Sequence, residues 1–503
     1  MNITQETRDL LKASMQKTNT TAGFTTSTGL VAYSLEAQAK LLYPVLTPLR
    51  NAIPRSGPIT GFTGTAEHWK ILTSINSTNV LAGVPEGQRN ILPTNIESDQ
   101  IASYKTLSME GSVSWQGDWA GLGFDDLKAL AVLISLQNTM LQEENYILNG
   151  NTGFAIGAGN KPTTTSNATG TNGAFPDGTT NYAYVVPLTA FGFTAAGGAQ
   201  NPVASAGTLT PIKTITGADS GTITYGNGVG QISSASNVFT TTGGSVSTVT
   251  ITTAPTKGAF GYAWFVGTSS GTSNSYLVAI TSLPTVTITG IATSTYAANG
   301  TNLSTDNSVN ALAFDGLISV ALNNTGYYKS LAGNTLTADG FGGVVEIDTA
   351  LKSFWDNYKI APTDIYADSQ TIRDITKKVL AGNTNPAFRV NVENGAGGLG
   401  NLTGANLVTT YLNKYAIDGA QGINLKLHPN MPTGTIFFDM KEFPTGWSHA
   451  RVSVPRRMRT RREYFATPWP VTTMSYTYAT TVDEMLQVYA PFSNGVITDI
   501  AAG

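Results

Sequence analysis

The residues best suited to chemistry are few and scattered in this sequence. The three histidines, His68, His428 and His449, have no metal-ligating partner three or four positions on, so no zinc-type pair is indicated. There is no Gly-x-Ser-x-Gly elbow that would present a nucleophile to a histidine base. There is no cysteine, which excludes disulfides, thiolate metal sites and cysteine nucleophiles together. Gly395-Ala396-Gly397-Gly398-Leu399-Gly400 has the spacing of a dinucleotide fingerprint, follows a strand-like run from Phe388 to Val392, and has Asp418 near the expected acidic position. However, Asn401–Asn406 contains Gly404 and starts a helix poorly, and no second βαβ unit follows, so the segment reads as a loop. The carboxylate pairs Asp125-Asp126, Glu143-Glu144 and Asp483-Glu484 are adjacent rather than opposed, which suits helix ends and solvated faces better than acid–base work. No catalytic residue, cofactor or metal site is expected, and no enzymatic activity.

The most informative charged feature is basic. Arg451, Arg456, Arg457, Arg459, Arg461 and Arg462 crowd into one short stretch of a chain with only 12% charged residues, about half the usual share. Planar guanidinium groups suit bidentate pairing with carboxylates, within the chain or across an interface. The formal net charge of -3 argues for at most weak, sequence-independent contact with nucleic acid.

The elements that must position these residues fall into two kinds. Between Asn151 and Asn310 the only charged residues are Lys161, Asp177, Lys213, Asp219, Lys257 and Asp306. Phe260, Tyr262, Trp264 and Val266 alternate there with mostly small residues, and Thr222–Tyr225, Val249–Thr252 and Val286–Thr289 alternate as well. Such runs, parted by Gly, Asn, Ser and Pro, predict short half-buried strands in an antiparallel sandwich. Its core is expected at about 202–291, behind a linker-like stretch from Lys161 to Gly173. The aromatic stripe is expected to fill the sandwich core.

The flanks read as one α+β body. Helices are predicted over Phe124–Leu148, with Leu127, Leu130, Ile134, Leu141 and Leu148 as the apolar stripe, over Val344–Tyr358, and after Ser369 as N-cap. Gly150 supplies a stop for the first. Between Gly57 and Trp115, runs from His68 to Leu72 and Gln100 to Trp115 flank a tip with Gly83, Pro85, Glu86 and Gly87, predicting a long two-stranded arm. A lone ribbon is marginal in water, so it is expected to rest on something outside its own domain. Met1–Lys17 lacks the apolar run of a signal peptide, and no stretch reaches the roughly 18 apolar residues of a membrane helix.

In this order, these elements resemble the major capsid proteins of tailed double-stranded DNA bacteriophages. Leu42–Arg55 resembles the end of their N-terminal arm, Gly57–Trp115 their extended loop, and Phe124–Leu148 their long spine helix with the exit Leu148-Asn149-Gly150-Asn151. Ala313–Ile318 and Ile365–Ser369 resemble axial-domain segments, and Arg451–Tyr489 the return of the chain into the peripheral domain.

The resemblance implies a Hong Kong 97-type α+β fold with an inserted all-β, immunoglobulin-like sandwich. The implied organisation is an N-terminal arm at 1–56, an extended β-ribbon loop at 57–118, a peripheral domain with spine helix at 119–160, linker and insert at 161–305, an axial domain at 306–450, and the peripheral return at 451–503. It implies self-assembly into pentamers and hexamers of an icosahedral head, in the virion after assembly in the host cytoplasm, with the insert on the outer surface. Implied partners are the chain itself, a portal and a separate scaffolding protein, with a decoration protein or cell-surface glycan possible at the insert and no membrane. An encapsulin-type shell and a surface adhesin acting through the insert are the alternatives. The residues expected between subunits are Arg50, Arg55, Lys70, Glu86, Arg89, Arg456, Arg457, Arg459, Arg461 and Arg462.

Overall fold

The computed structural model describes residues 47–57, 64–74, 83–89, 96–121, 126–167, 180–197, 209–216, 221–240, 248–268, 275–290, 303–381, 408–416, 421–443, 454–471 and 473–503. The glycine-rich loop at 395–400 with Asp418, the residues His449, Arg451, Phe124 and Asp125, and the arm segment before Thr47 lie outside the described residues.

In chain order the first elements are α1 (Pro48–Ala52), β1 (Arg55–Ser56), β2 (Ala66–Ser74), β3 (Ile96–Ser103), β4 (Lys105–Ser114), α2 (Trp115–Gly121) and α3 (Leu127–Asn149). The β-rich middle contains β5 (Thr163–Asn167), β6 (Thr180–Leu188), α4 (Ala190–Ala195), β7 (Ile212–Thr216), β8 (Thr222–Gly226), β9 (Phe239–Thr240), β10 (Thr248–Thr252), β11 (Gly261–Gly267), β12 (Ser275–Thr281) and β13 (Thr285–Ile288). Then follow α5 (Leu317–Asn323), β14 (Tyr327–Ser330), α6 (Val345–Tyr358), β15 (Asp364–Ala367), α7 (Ser369–Ala381), β16 (Thr410–Asn413), β17 (Gln421–Leu427) and β18 (Ile436–Asp439). The last strands are β19 (Arg456–Pro468), β20 (Ser475–Val488) and β21 (Gly495–Thr498). The chain forms two compact units; among the described residues, one takes in 47–67, 102–145 and 458–485, and the other the remainder.

The first unit is a four-stranded sheet, β1-β19-β20-β4, covered by α3. β1 runs parallel to β19, and β20 pairs antiparallel with β4 from Ser475↔Ser114 to Glu484↔Lys105. Asp126 caps α3, its Oδ1 accepting from Lys128 N and Ala129 N at 3.1 Å each, so it stands before the first turn rather than within it. The buried face of α3 in this unit is Leu127, Ala131, Ser135, Thr139 and Glu143, one position every four. Leu130, Ile134 and Leu141, expected on the inner stripe, are only half-buried. The reason is close approach. A Cβ on Gly111 of β4 would lie 2.8 Å from Ala131 O, and Ser135 Oγ donates to Met109 O at 2.6 Å. Ala131, Ser135 and Thr139 take the middle of the inner face because β4 comes too close there for long side chains.

In the second unit, the ribbon is β2 paired with β3. The run expected as one strand from Gln100 to Trp115 divides at Tyr104: β3 stays in the ribbon, whereas β4 joins the sheet of the first unit. Trp69 Nε1 donates to Val488 O at 2.9 Å and Leu72 N to Tyr489 O at 3.0 Å, anchoring the ribbon along β2.

A six-stranded mixed sheet, β14-β21-β18-β15-β17-β16, forms the rest of the body, with β14∥β21 and β15∥β17 parallel and the other pairs antiparallel. α6 and α7 supply Ile347, Leu351, Phe354, Ile372 and Ile375 to the core on one face, against Ile365, Ile423, Ile436, Phe438 and Ile497. The cap of α7 is Asp368, one residue earlier than expected: its carboxylate accepts from Gln370 N at 3.1 Å and from the Thr371 hydroxyl. The exit of α3 meets the start of α5 without room for side chains. A Cβ on Gly150 would lie 2.3 Å from Phe314 O, and one on Gly316 2.7 Å from Tyr146 O. The bond Gly316 N to Gly150 O, 2.8 Å, closes this joint.

The insert is a sandwich of sheets β13-β10-β5 and β12-β11-β6-β9. Tyr262, Trp264 and Val266 point into the core between them with Val249, Ile251 and Val286, as the alternation predicts. The intervening Ala263 and Phe265 are buried too, in a second core with Tyr184, Val186, Phe193 and Leu277. β11 is therefore covered on both faces, the second partly by α4, and the insert is thicker than a two-layer sandwich. Two expectations are corrected. Thr163–Asn167, read as linker, is β5, because its threonines pair in register with β10. Thr222–Tyr225, read as a sandwich strand, belongs to β8, which among the described residues pairs with β7 alone, in a separate ribbon whose isoleucines remain exposed.

Candidate assembly interface

Glu143 and Glu144 lie on α3 and are fully buried. Glu144 caps α1: its Oε1 accepts from Leu49 N at 2.8 Å and its Oε2 from Arg50 N at 2.6 Å. Thr47, the residue at the N-cap position, makes no side-chain cap bond. Glu143 accepts from Arg50 Nε at 3.0 Å, from Arg55 Nη2 and from the Tyr464 hydroxyl. Arg55 Nη1 also reaches Glu484 Oε2 at 2.8 Å. Burial pulls the Arg50 pKa down against the opposing pull of Glu484 and Glu144. It pushes the Glu484 carboxyl up, and Arg55 partly reverses this. The segment Thr47–Arg55 is thus fastened by three buried carboxylates, two arginines and a helix N-terminus, which together keep the charges paired. The expectation that the Glu143-Glu144 pair serves helix ends holds for Glu144, though the helix is not its own; neither residue is on a solvated face.

The arginines of β19 divide by environment. Arg456 is buried, with both terminal nitrogens on Asp439 and Nη1 also 3.2 Å from Met440 O. Burial pushes its pKa down to about 10, so it stays charged at neutral pH. On the neighbouring strand Asp364 takes Lys426 at 2.9 Å and Lys441 at 2.7 Å. Arg459 Nη1 donates to Gly57 O at 2.8 Å. Arg461 pairs with Asp483 at 2.5 Å and lies 5.5 Å from the Tyr104 ring centroid. Arg462 stacks 3.6 Å over Phe465 and is exposed. Arg457 and Arg462 have no ion-pair partner among the described residues.

Beside these side chains the first unit carries an open groove of about 960 Å³, lined by Arg55, Ser56, Thr460, Arg461, Arg462 and Asp483 among others. Ser56 Oγ, Thr460 Oγ1 and Asp483 Oδ1 are buried at its wall and have no hydrogen-bond partner among the described residues. Orphaned buried polar atoms are uncommon in folded proteins and call for a partner.

On the ribbon, Lys70 pairs with Glu97 at 3.4 Å, with both side chains largely exposed. At the tip, Gln88 N donates to Pro85 O at 3.1 Å, and Glu86 and Arg89 are exposed without a partner among the described residues. Of the histidines, His68 is exposed on β2, while His428 is buried edge-on to Tyr366, its Nδ1 accepting from Asn430 N. Among the described residues no three His, Asp or Glu side chains gather as a metal site, and no helix is long and apolar enough to cross a membrane.

The arm anchor was not foreseen as such. Its trace in the sequence is the adjacent pair Glu143-Glu144 set between Leu141 and Ile147, the one acidic spot in α3.

No protein-family model matches this chain, and no curated protein matches it either. Several solved structures are similar. The holo-SrpI encapsulin complex from Synechococcus elongatus PCC 7942 is 13% identical, with a TM-score of 0.23 over 37% of this chain, which spans 57% of the encapsulin chain. The capsid asymmetric unit of cyanophage A-1(L) is 11% identical, with a TM-score of 0.39 over 93% of this chain and 96% of that one. The structure from Mycobacterium phage Bobi is 9% identical, with a TM-score of 0.37 over 94% of this chain and 97% of that one.

Proposed function

We propose that this chain is a major capsid protein of the Hong Kong 97 type, building the icosahedral head of a tailed double-stranded DNA bacteriophage from pentamers and hexamers. The observation that carries the reading is the groove beside β19, whose buried Ser56, Thr460 and Asp483 atoms lack partners among the described residues. An extended segment of a neighbouring subunit would supply them. The sequence resemblance in element order agrees, as do the fastened segment Thr47–Arg55 and a two-stranded ribbon tied to the body through Trp69 and Leu72. One chain must make slightly different contacts in rings of five and six, and protruding elements that bend at their roots allow this. Many modest contacts then add over the closed shell.

In this reading Lys70, Glu86, Arg89, Arg457 and Arg462 face neighbouring subunits. Arg50, Arg55, Arg456, Arg459 and Arg461 act by holding the arm and β19 in place. A portal, a separate scaffolding protein and assembly in the host cytoplasm belong to the same reading, as does a decoration protein or glycan at the insert. The test is electron microscopy of the full chain expressed with its scaffold. Closed DNA-containing heads are expected. A stable monomer under every assembly condition would sink the reading, and small DNA-free particles would favour an encapsulin-type shell. Arg89→Glu should reduce particle yield severalfold and leave monomer melting unchanged; normal particles from it would remove Arg89 from the interface.

A further inference from the structure

The insert and the six-stranded sheet keep separate cores, and no side chain belongs to both. The chain joins them through two adjacent segments. Asn310 N donates to Asn151 O at 2.8 Å, and further along Gly157 N donates to Asp306 Oδ2 at 2.8 Å, so the insert hangs from a narrow neck. One contact where it meets the sheet is polar and buried. The Tyr262 ring belongs to the insert core, but its hydroxyl reaches out to Asp499, just beyond β21, and donates to Oδ1 at 3.2 Å. Ser330 and Thr498 donate to Oδ2. Asp499 is buried, and no lysine or arginine pairs with it among the described residues. A cleft of about 320 Å³ continues the seam, with Thr285 and Thr287 of the insert and Gln370 and Asp374 of α7 in its walls. These hydroxyl, amide and carboxylate groups let water enter the seam without stranding polar atoms.

We propose that Asp499 and Tyr262 form a pH-sensitive latch, which keeps the insert docked on the six-stranded sheet while the Asp499 carboxyl is protonated and lets it undock on its neck once the carboxyl ionises. A buried carboxylate facing three neutral hydroxyls and no cation is better solvated in water, and it reaches water when the seam opens. Burial holds its pKa at about 6, against an ordinary 3.8. The docked state therefore binds the proton more tightly than the undocked one. Docking is firmest below about pH 4 and weakens as pH rises through about 6. Other titratable groups face the same seam. Burial pushes the Tyr262 and Tyr328 phenols up, Tyr328 to about 12, so both stay neutral through that range. Lys257 Nζ lies 5.8 Å from the centre of the Tyr328 ring, and Lys329 is exposed. Asp374, in the cleft wall, is held by Gln370 Nε2 at 3.0 Å and Gly503 N at 3.1 Å.

The test is amide hydrogen exchange of the full-length chain at pH 5, 6 and 7, corrected for the intrinsic exchange rate at each pH. The reporter is the stretch 253–262, where Thr256 N donates to the Tyr262 hydroxyl at 3.4 Å. β10 in the insert core and α6 in the body core report unfolding of each part. The reporter should open more readily than either core, and its opening constant should rise about tenfold between pH 5 and pH 7. Asp499→Asn keeps an acceptor for Tyr262 and cannot ionise, so its profile should be flat. Ser330→Ala removes one donor to the ionised carboxylate and raises the docked pKa, so its rise should continue to higher pH than that of the unaltered chain. This second variant carries the test if Asp499→Asn does not fold. A flat profile in the unaltered chain, the same rise in Asp499→Asn, or a Ser330→Ala profile that levels off where the unaltered one does would overturn the latch. So would a reporter that opens no more readily than β10, since the seam would then open only when the insert unfolds.

Discussion

Asp499 sits in a left-handed backbone conformation, φ 57°, with its carboxylate 3% exposed between the insert and the six-stranded sheet. Tyr262 of β11 donates to Oδ1 at 3.2 Å, and Ser330 and Thr498 donate to Oδ2 at 2.5 and 3.0 Å. Burial raises its pKa from 3.8 to about 6, because three neutral hydroxyls do not fully replace water. A folded-state pKa above the unfolded one favours folding while the group is protonated. That contribution is complete below about pH 4 and is lost as pH rises through about 6, a change of about 3 kcal/mol. Asp499→Asn keeps the shape, tolerates the left-handed backbone and removes the titration. Denaturant unfolding at pH 4 and pH 7 should show the variant gaining on the wild type by up to about 3 kcal/mol between the two. A difference that does not change with pH would exclude Asp499 as the source.

Element packing turns on size as much as on hydrophobicity. Along α3 the apolar periodicity points to Ile134 and Leu141, yet the sheet receives Ala131, Ser135 and Thr139. Ser135→Leu would drive a branched side chain against Met109 O and should cost about 1–3 kcal/mol by overpacking. Ile134→Leu, on the half-buried side, should cost under about 1.5 kcal/mol. Thermal melting of the two variants decides the matter, and the reverse order would show that the helix lies on its apolar stripe. The arm follows the same logic. α1 has five residues, too few to be stable alone, and it holds its place because α3 offers Glu144 to its first turn.

At the scale of the whole molecule, separate cores imply separate stabilities. The insert has one core between its sheets and another on the far face of β11, and the six-stranded sheet has its own with α6 and α7. Urea unfolding should therefore show more than one transition, since a chain of several cores departs from two-state behaviour. Trp264 is fully buried and its Nε1 donates to Thr281 Oγ1 at 2.7 Å. Trp264→Ala should lower the transition of the insert by about 3–5 kcal/mol and leave the others nearly unmoved. One cooperative transition, lowered as a whole, would mean that insert and body unfold together.

By itself the sequence determined the parts that local pattern controls. The charge-poor stretch and its alternating aromatics marked the insert, the 3.6-residue periodicity marked α3, α6 and α7, and the turn residues marked the ribbon tip. The crowding of arginines marked β19. Tertiary structure alone decided which partner each element took. The break at Tyr104, the pairing of Thr163–Asn167 with β10 and the detachment of β7–β8 depend on residues distant in sequence, and strand propensity carries no address. The same holds for charge. That Glu144 caps a helix about 95 residues away, that Arg456 closes on Asp439 while Arg462 stays exposed, and that Phe341 stays in water follow from which backbones approach each other, and no spacing along the chain records that.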